Sequence, residues 1–320
     1  MKISACYIVK NEEKNLSKSI ESLIKSVDEL IIVDTGSTDR TIKIAKSFNA
    51  KIIIYEWKDD FSEPRNLAIE NAAGEWIIMI DADEYFIKPK KIRRAFKNFK
   101  SDAVFIPRID IDTDHNNKPL NRDIYVRIFR NVDYLRYQGL IHENLENIKG
   151  GNFNYEVAND DLTIYHTGYS ESKANDKLNR NLRIINKEID QIGLQFRHHI
   201  ALVDCYYALG DYAKALEHAN KILETDLRPI TGLNIFYRKT LNAMRQVNCS
   251  PEEIIKVANQ AVDEIPNDYY FRLERGLMFY LTKQLDKAKV DLKIAAKSSD
   301  QDIKSLAKSS LKIIGLNAEG

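Results

Sequence analysis

Cysteine is scarce in this chain, since only Cys6, Cys205 and Cys249 stand among 320 residues. They are odd in number and widely separated, without the paired spacing of a zinc site or a disulfide framework, and this pattern favours a reducing compartment. The chain also lacks an excess of charge of one sign, because 48 lysines and arginines face 47 aspartates and glutamates. A dedicated nucleic-acid binder usually carries a large basic excess and is therefore not expected.

Long hydrophobic runs are missing as well. The amino terminus is apolar only as far as Val9 and becomes charged from Lys10, which is too short a run for a signal peptide. No apolar run approaches the roughly 18 residues that a membrane-spanning helix needs. We therefore expect a cytoplasmic protein, and a peripheral contact with the inner face of the membrane stays open.

The remaining composition is that of a folded globular protein, with 44% hydrophobic and 30% charged residues. At about 150 residues per domain, 320 residues allow two domains. Two different patterns of apolar residues divide the chain, and they predict a first domain over residues 1–172 and a second over residues 173–320.

The first pattern alternates short, β-branched apolar runs with amphipathic stretches. It predicts strands at Ile3–Val9, Leu30–Val33, Lys51–Tyr55 and Trp76–Ile80, with helices at Leu16–Ser26, Thr41–Phe48 and Glu63–Ala72. This order is typical of an α/β fold with a mostly parallel sheet and helices on both faces. The polar stretch Asp110–Asn121 predicts a mobile loop.

The second pattern is almost wholly helical and resembles tetratricopeptide repeats. Gly210 and Asp211 form a predicted turn between two helices, and the small Ala215 would let the second helix pack closely. Gly276 and Ala288 stand twelve positions apart, as the small residues of that repeat do. Two or three degenerate repeats in a short solenoid are expected, with an ordinary helical bundle as the alternative. A homodimer through these helices is a further expectation.

Carboxylates follow two of the predicted strands. Asp34 comes at the end of the second strand, and Asp81 and Asp83 follow the fourth. In open α/β sheets ligands bind at this edge. Two carboxylates as close as Asp81 and Asp83 repel each other unless a cation lies beside them, which suggests a divalent ion with oxygen ligands. Asp34 could instead only cap the following helix, and Asp39 fits that role better.

These motifs together resemble the nucleotide-diphospho-sugar domain of family 2 glycosyltransferases, the GT-A fold, with Asp81-Ala82-Asp83 as its DXD motif. Four elements occur in the order of that family: the Asn11 to Glu13 triplet, the Asp34 turn, the pair Arg65 and Asn66, and the DXD strand. The resemblance implies that the nucleotide sugar is bound by Val9, Asn11, Glu12, Asp34, Arg65, Asp81 and Asp83. A surface position on a helix is the alternative for Arg65.

Two later segments resemble further parts of the same family. The segment Tyr137–Asn144 resembles the one that carries the catalytic base, for which we choose Glu143, with His142 as the next candidate. His166 resembles the histidine that completes the metal site with Asp81 and Asp83. An imidazole ligand suits Mn²⁺ somewhat better than Mg²⁺. A solvated surface carboxylate and a partly buried structural histidine are the respective alternatives.

The resemblance implies inverting transfer of a sugar from a UDP-sugar. The helical second half extends it to bacterial transferases of two kinds, which act on lipopolysaccharide-core or other envelope glycans, or on bacteriocin-like peptides. A peptide or protein acceptor is slightly favoured over a glycan. A non-catalytic scaffold with a remnant first domain is a different class of answer. A nucleotidyltransferase is less consistent, because residues 1–20 contain no Gly or Arg for its activating loop.

Overall fold

The computed structural model describes residues 1–167, 174–225 and 232–317. The chain divides into two compact units between Gln191 and Ile192. The strands of the first unit are β1 (Ile3–Val9), β2 (Glu29–Asp34), β3 (Lys51–Ile54), β4 (Trp76–Met79), β5 (Glu84–Phe86), β6 (Ala103–Asp112), β7 (Lys118–Arg130), β8 (Leu135–Gln138), β9 (Asn144–Asn147), β10 (Tyr155–Val157) and β11 (Ile164–His166). Its helices are α1 (Leu16–Glu21), α2 (Thr41–Ser47), α3 (Ser62–Glu70), α4 (Ile92–Ala95) and α5 (Ala174–Ile192).

A mixed sheet forms the centre of this unit, in the order β3-β2-β1-β4-β7-β6-β11-β5, with β10 beside β6. Strands β3, β2, β1 and β4 are mutually parallel. Antiparallel pairing begins at β7, which lies between β4 and β6. The predicted α/β class is confirmed, and the parallel part of the sheet is the part whose strands the sequence predicted most closely.

Apolar side chains cover both faces of the sheet. Alternate residues of β1, such as Tyr7, pack with Leu16 and Ile20 of α1 on one face. On the other face Cys6 packs with Ala68 of α3. This division follows from the alternation of side chains along a strand.

The predicted loop at Asp110–Asn121 is wrong. Strands β6 and β7 run through most of it as an antiparallel hairpin, in which Ile109 pairs with Arg122 and Ile111 with Pro119. The residues are polar because part of the hairpin faces solvent, but the cross-strand pairing of β6 with β7, such as Asp110 with Asn121, still makes them strands.

Helix α5 belongs to the first unit, although it begins just after the predicted domain boundary at residues 172 and 173. Its Ile184 and Ile185 are fully buried. The change from sheet to helices and the division between compact units therefore fall at different places in the chain.

The described residues of the second unit form helices joined by turns and short connections. Its helices are α6 (Phe196–Ala208), α7 (Tyr212–Leu223), α8 (Leu233–Gln246), α9 (Pro251–Glu264), α10 (Tyr269–Leu281), α11 (Leu285–Ala295) and α12 (Gln301–Asn317). Neighbours in sequence pack as pairs. Gly210, with a φ of +77°, makes the predicted turn between α6 and α7, and Asp211 caps α7. No helix among the described residues is both long enough and apolar enough to span a membrane.

Candidate active site

The carboxyl ends of β1, β2 and β4 meet at one edge of the sheet because these strands are adjacent and parallel. Val9 and Asp34 end their strands there, and Asp81 follows β4 by two residues. The edge is where the predicted nucleotide-sugar site would lie.

Asp34 is buried at this edge, and its two carboxylate oxygens differ in their hydrogen bonding. Its Oδ1 accepts hydrogen bonds from the backbone N–H groups of Gly36 (3.1 Å) and Ser37 (2.9 Å). Its Oδ2 is buried and has no hydrogen-bond partner among the described residues. The carbonyl oxygen of Val9, by contrast, accepts from the backbone N–H and the hydroxyl of Thr35. The arrangement leaves Asp34 Oδ2 available to an N–H or O–H donor of a ligand.

The predicted residues Asn11 and Glu12 tie two loops of this edge together. The backbone N–H of Asn11 donates to Ser37 Oγ (2.9 Å), and its side-chain Oδ1 accepts from the backbone N–H of Thr38 (2.8 Å). The backbone N–H of Glu12 donates to Thr41 Oγ1 (2.7 Å). Their contact with a nucleotide stays a prediction.

The DXD motif forms a tight turn between β4 and β5 rather than an extended segment. Asp81 Oδ1 accepts from Arg65 Nη2 (2.9 Å), and Oδ2 accepts from Arg127 Nη2 (2.8 Å). The side chain is 31% exposed. Burial opposes charge on Asp81, but the two guanidinium groups outweigh it and hold its pKa well below the usual range. Both oxygens are thus engaged by arginine.

Asp83 points to the other side of the turn, towards His166. The His166 Nε2 lies 3.3 Å from Asp83 Oδ2, and its Nδ1 donates to Asp110 Oδ1 at 2.9 Å. Burial opposes protonation of the imidazole, but the carboxylates of Asp110 and Asp83 outweigh this and raise the His166 pKa to about 9. In many metal sites a carboxylate accepts a hydrogen bond from Nδ1 of a histidine and thereby orients Nε2 toward the metal ion.

Asp83 and His166 thus form an oxygen and nitrogen pair that fits Mn²⁺ or Mg²⁺ in part. Within the described residues, no three His, Cys, Asp or Glu side chains lie close enough together to hold a cation unaided. The remaining ligands would have to come from water or from the diphosphate of a bound nucleotide.

Glu143 faces the same cluster. Its Oε1 accepts from Arg65 Nε at 2.6 Å, and its side chain is only 11% exposed. The neighbouring His142 is exposed and has a left-handed backbone with a φ of +52°. Of this adjacent pair, it is therefore Glu143 that the fold turns towards Asp81.

Arg65 joins the two carboxylates and is itself buried. Burial opposes its charge, but Asp81 and Glu143 outweigh this and raise its pKa. Helix α3 also pins the segment that leads to Glu143. Asn66 exchanges hydrogen bonds with the backbone N–H and carbonyl of Tyr137, each at 2.9 Å, and Ser62 Oγ donates to the carbonyl of Gly139.

The sequence motifs do not predict several residues of the cluster, chiefly Glu84 and Arg127. Glu84 is fully buried and accepts from Arg127 Nη2 at 2.6 Å. Burial is the main cause that raises the pKa of Glu84. The alternation of charged and apolar residues around Arg108 in β6 and Arg127 in β7 is the signal that could have placed these side chains on one face.

Part of this chain matches a known protein family and several known proteins. Residues 4–158 match the glycosyl transferase family 2 domain. The SPbeta prophage-derived glycosyltransferase SunS of Bacillus subtilis strain 168 is 35% identical over 192 residues, which cover 57% of this chain and 44% of SunS. A TPR repeat-containing protein of Synechococcus elongatus is 38% identical over 141 residues, which cover 44% of this chain and 34% of that protein.

The chain spans less than half the length of these curated relatives. Among solved structures, S. aureus TarS 1–349 aligns over 91% of this chain and 90% of its own, with 19% identity and a TM-score of 0.42. The matched family segment contains the whole cluster from Val9 to Glu143, with His166 just beyond it. Residues 4–158 of this chain therefore form a glycosyl transferase family 2 domain.

Proposed function

We propose that this chain is an inverting, metal-dependent glycosyltransferase that moves a sugar from a UDP-sugar to a nucleophile of a peptide or protein acceptor. The observation that carries the proposal is the bridge made by Arg65 between Asp81 and Glu143. It joins a donor-side carboxylate to a candidate base within one buried cluster, and Asp83 and His166 lie at its edge.

On the donor side, Asp34 Oδ2 is the acceptor for an N–H group of the uracil, because it is buried and has no partner within the described part of the chain. Asp83 and His166 would hold Mn²⁺ or Mg²⁺. When bound, such a cation offsets the charge that grows on the departing diphosphate. Asp81, whose oxygens are both taken by arginine, orients Arg65 and Arg127 and borders the donor.

On the acceptor side, Glu143 takes the proton from the attacking hydroxyl or thiol. Arg65 fixes the direction of its carboxylate through the 2.6 Å hydrogen bond. Inversion requires the nucleophile to attack opposite the leaving diphosphate, so base and donor must be held in one geometry. Because Arg65 contacts both Glu143 and Asp81, it holds the base in a fixed position relative to the donor side of the site.

The helical unit is the proposed platform for the acceptor. Stacked helical pairs present an extended surface suited to a peptide. One relative in the comparisons is a TPR repeat-containing protein and another is a glycosyltransferase named SunS. An envelope glycan is the second candidate acceptor. The buried, fully formed cluster around Arg65 favours an enzyme over a scaffold with a remnant domain.

The three cysteines are free, which supports a cytoplasmic location, at the inner membrane face if the acceptor is an envelope glycan. A homodimer through the helices stays a prediction.

Calorimetry of UDP binding to the full chain, in Mn²⁺ and in EDTA, tests the donor site. We expect tighter binding in Mn²⁺, and Asp83→Ala should abolish the difference. Asp133→Ala removes a carboxylate of the same kind that is 74% exposed, and this control should leave the difference intact. Equal UDP affinity of the wild type in Mn²⁺ and in EDTA would contradict the proposed metal site. Absence of UDP binding in both would contradict the proposal that the donor is a UDP-sugar.

A further inference from the structure

Glu188 is a buried carboxylate of α5 that lies outside the family 2 segment. Its side chain is 4% exposed, and its Oε1 accepts a hydrogen bond from the backbone N–H of Leu140 at 3.1 Å. Leu140 stands three residues before Glu143 in the same loop. A carboxylate acceptor makes a stronger hydrogen bond with a backbone N–H than a neutral group does.

The same helix holds a second loop through neighbouring side chains. Arg183 pairs with Asp59, with Nη2 and Oδ1 2.8 Å apart. Lys187 Nζ donates to the carbonyl of Lys58 at 2.6 Å. This loop leads directly into α3, the helix that carries Arg65.

The two loops also contact each other, because the backbone N–H of Phe61 donates to the carbonyl of Leu140 at 2.9 Å. Both backbone polar groups of Leu140 are therefore held, its carbonyl by the N–H of Phe61 and its N–H by Glu188. Helix α5 contacts both loops, and the loops contact each other. Together these contacts fix the loop of Glu143 against the start of α3, the helix that carries Arg65.

We propose that Glu188 is a positioning residue for Glu143. It keeps the loop at Leu140 in the place where Glu143 meets both Arg65 and the acceptor. The inference rests on the proposed role of Glu143 as base. A displacement of about 1 Å at such a group is enough to cost roughly 100-fold in rate.

The test uses the full chain with Mn²⁺ and two probes, UDP-N-acetylglucosamine and UDP-glucose, with water as acceptor and released UDP as the signal. Glu188→Met keeps the size of the side chain but removes the acceptor, and we expect a rate roughly 10- to 100-fold lower with unchanged UDP affinity. Glu188→Gln retains a carbonyl oxygen for Leu140 and should restore most of the rate. Asp190→Ala, at an exposed position of the same helix, is the control and should match the wild type.

A double variant separates positioning from general stability. In the Glu143→Gln background, Glu188→Met should cause little further loss, because a residue that acts through Glu143 has nothing left to position. A purely structural role would multiply the two losses and lower UDP affinity as well, and that result would overturn the inference. If Glu188→Met does not fold, Glu188→Ala is measured in its place with the same expectations.

Hydrogen exchange gives a reading that needs no substrate turnover. The backbone amides of Leu140–Glu143 should exchange faster in Glu188→Met than in Glu188→Gln or the wild type, while those of α3 stay protected. Unchanged exchange at Leu140 overturns the inference. A wild-type rate for Glu143→Gln would overturn the proposed role of Glu143 as the base. If Glu143→Gln lowers the rate as expected but Glu188→Met keeps the wild-type rate, only the proposed role of Glu188 is overturned.

Discussion

Two arginines hold together three carboxylates that would otherwise repel one another. Arg65 contacts Asp81 and Glu143, and Arg127 contacts Asp81 and Glu84. The sequence predicted Asp81, Glu143 and Arg65 from motifs that are local in the chain. It did not predict Arg127, because the contacts of that residue depend on the pairing of β7 with β4, which brings together segments about fifty residues apart.

Arg127→Met should destabilise the first unit strongly. The change removes the closer of two guanidinium groups beside the buried Glu84, since Arg127 Nη2 lies 2.6 Å and Arg108 Nη1 3.6 Å from Glu84 Oε1. Breaking a buried ion pair costs about 3–5 kcal/mol, and Arg108 limits the loss to that range or less. Urea unfolding followed by circular dichroism measures the loss. Arg130→Met is the matched control on the same strand. It removes only a guanidinium stacked on the ring of Trp76, which is worth about 1 kcal/mol. Equal losses for the two variants would contradict a special role for Arg127.

Among the elements, those with a strong local pattern were predicted closely. Strand β1 has its predicted bounds, Ile3–Val9, because a continuous apolar run bounded by Lys2 and Lys10 leaves little choice. The hairpin of β6 and β7 was partly missed, since its polar residues gain strand structure only from each other. In the second unit, Gly276, which the repeat-like spacing from Ala288 singled out, lies where α10 and α11 approach closely. A side chain at Gly276 would come within 2.9 Å of Leu292.

Gly276→Ala should therefore lower the stability of the helical unit. A methyl group gains up to about 1 kcal/mol in helix propensity, but overpacking against Leu292 costs about 1–3 kcal/mol. Gly315→Ala is the control, because a Cβ at this exposed position in α12 meets no atom within 4 Å, and it should stabilise. Thermal unfolding of the two variants should shift in opposite directions. A stabilising Gly276→Ala would show that α10 and α11 are not in close contact there.

At the scale of the whole molecule, the sequence does not show to which compact unit α5 belongs. The pattern of that helix is amphipathic like those that follow it. Its contacts with distant parts of the chain, including those of Glu188 and Arg183 with two loops, show that it belongs to the first unit. Assignment of a helix to a unit depends on such long-range contacts, which periodicity does not contain.

A chain of residues 1–191 should fold cooperatively and bind UDP in Mn²⁺ about as tightly as the full chain. A chain of residues 1–172 lacks α5, loses the buried Ile184 and Ile185, and leaves the loop at Leu140 without Glu188. It should melt at a lower temperature. Circular dichroism and UDP calorimetry on both chains check this. Equal melting temperatures would show that α5 contributes nothing to the first unit.

The most direct test of the proposed transfer measures the UDP that the full chain releases from a panel of UDP-sugars in Mn²⁺. The wild type should release UDP from at least one of them. Glu143→Gln, which keeps the size of the side chain, should lower that rate by about 10²- to 10⁴-fold, the usual effect of removing a general base, with UDP affinity little changed. His142→Gln, at an exposed neighbouring position, should keep the wild-type rate. A full rate for Glu143→Gln would contradict the assignment of the base, and a large loss for His142→Gln would then identify His142 in its place.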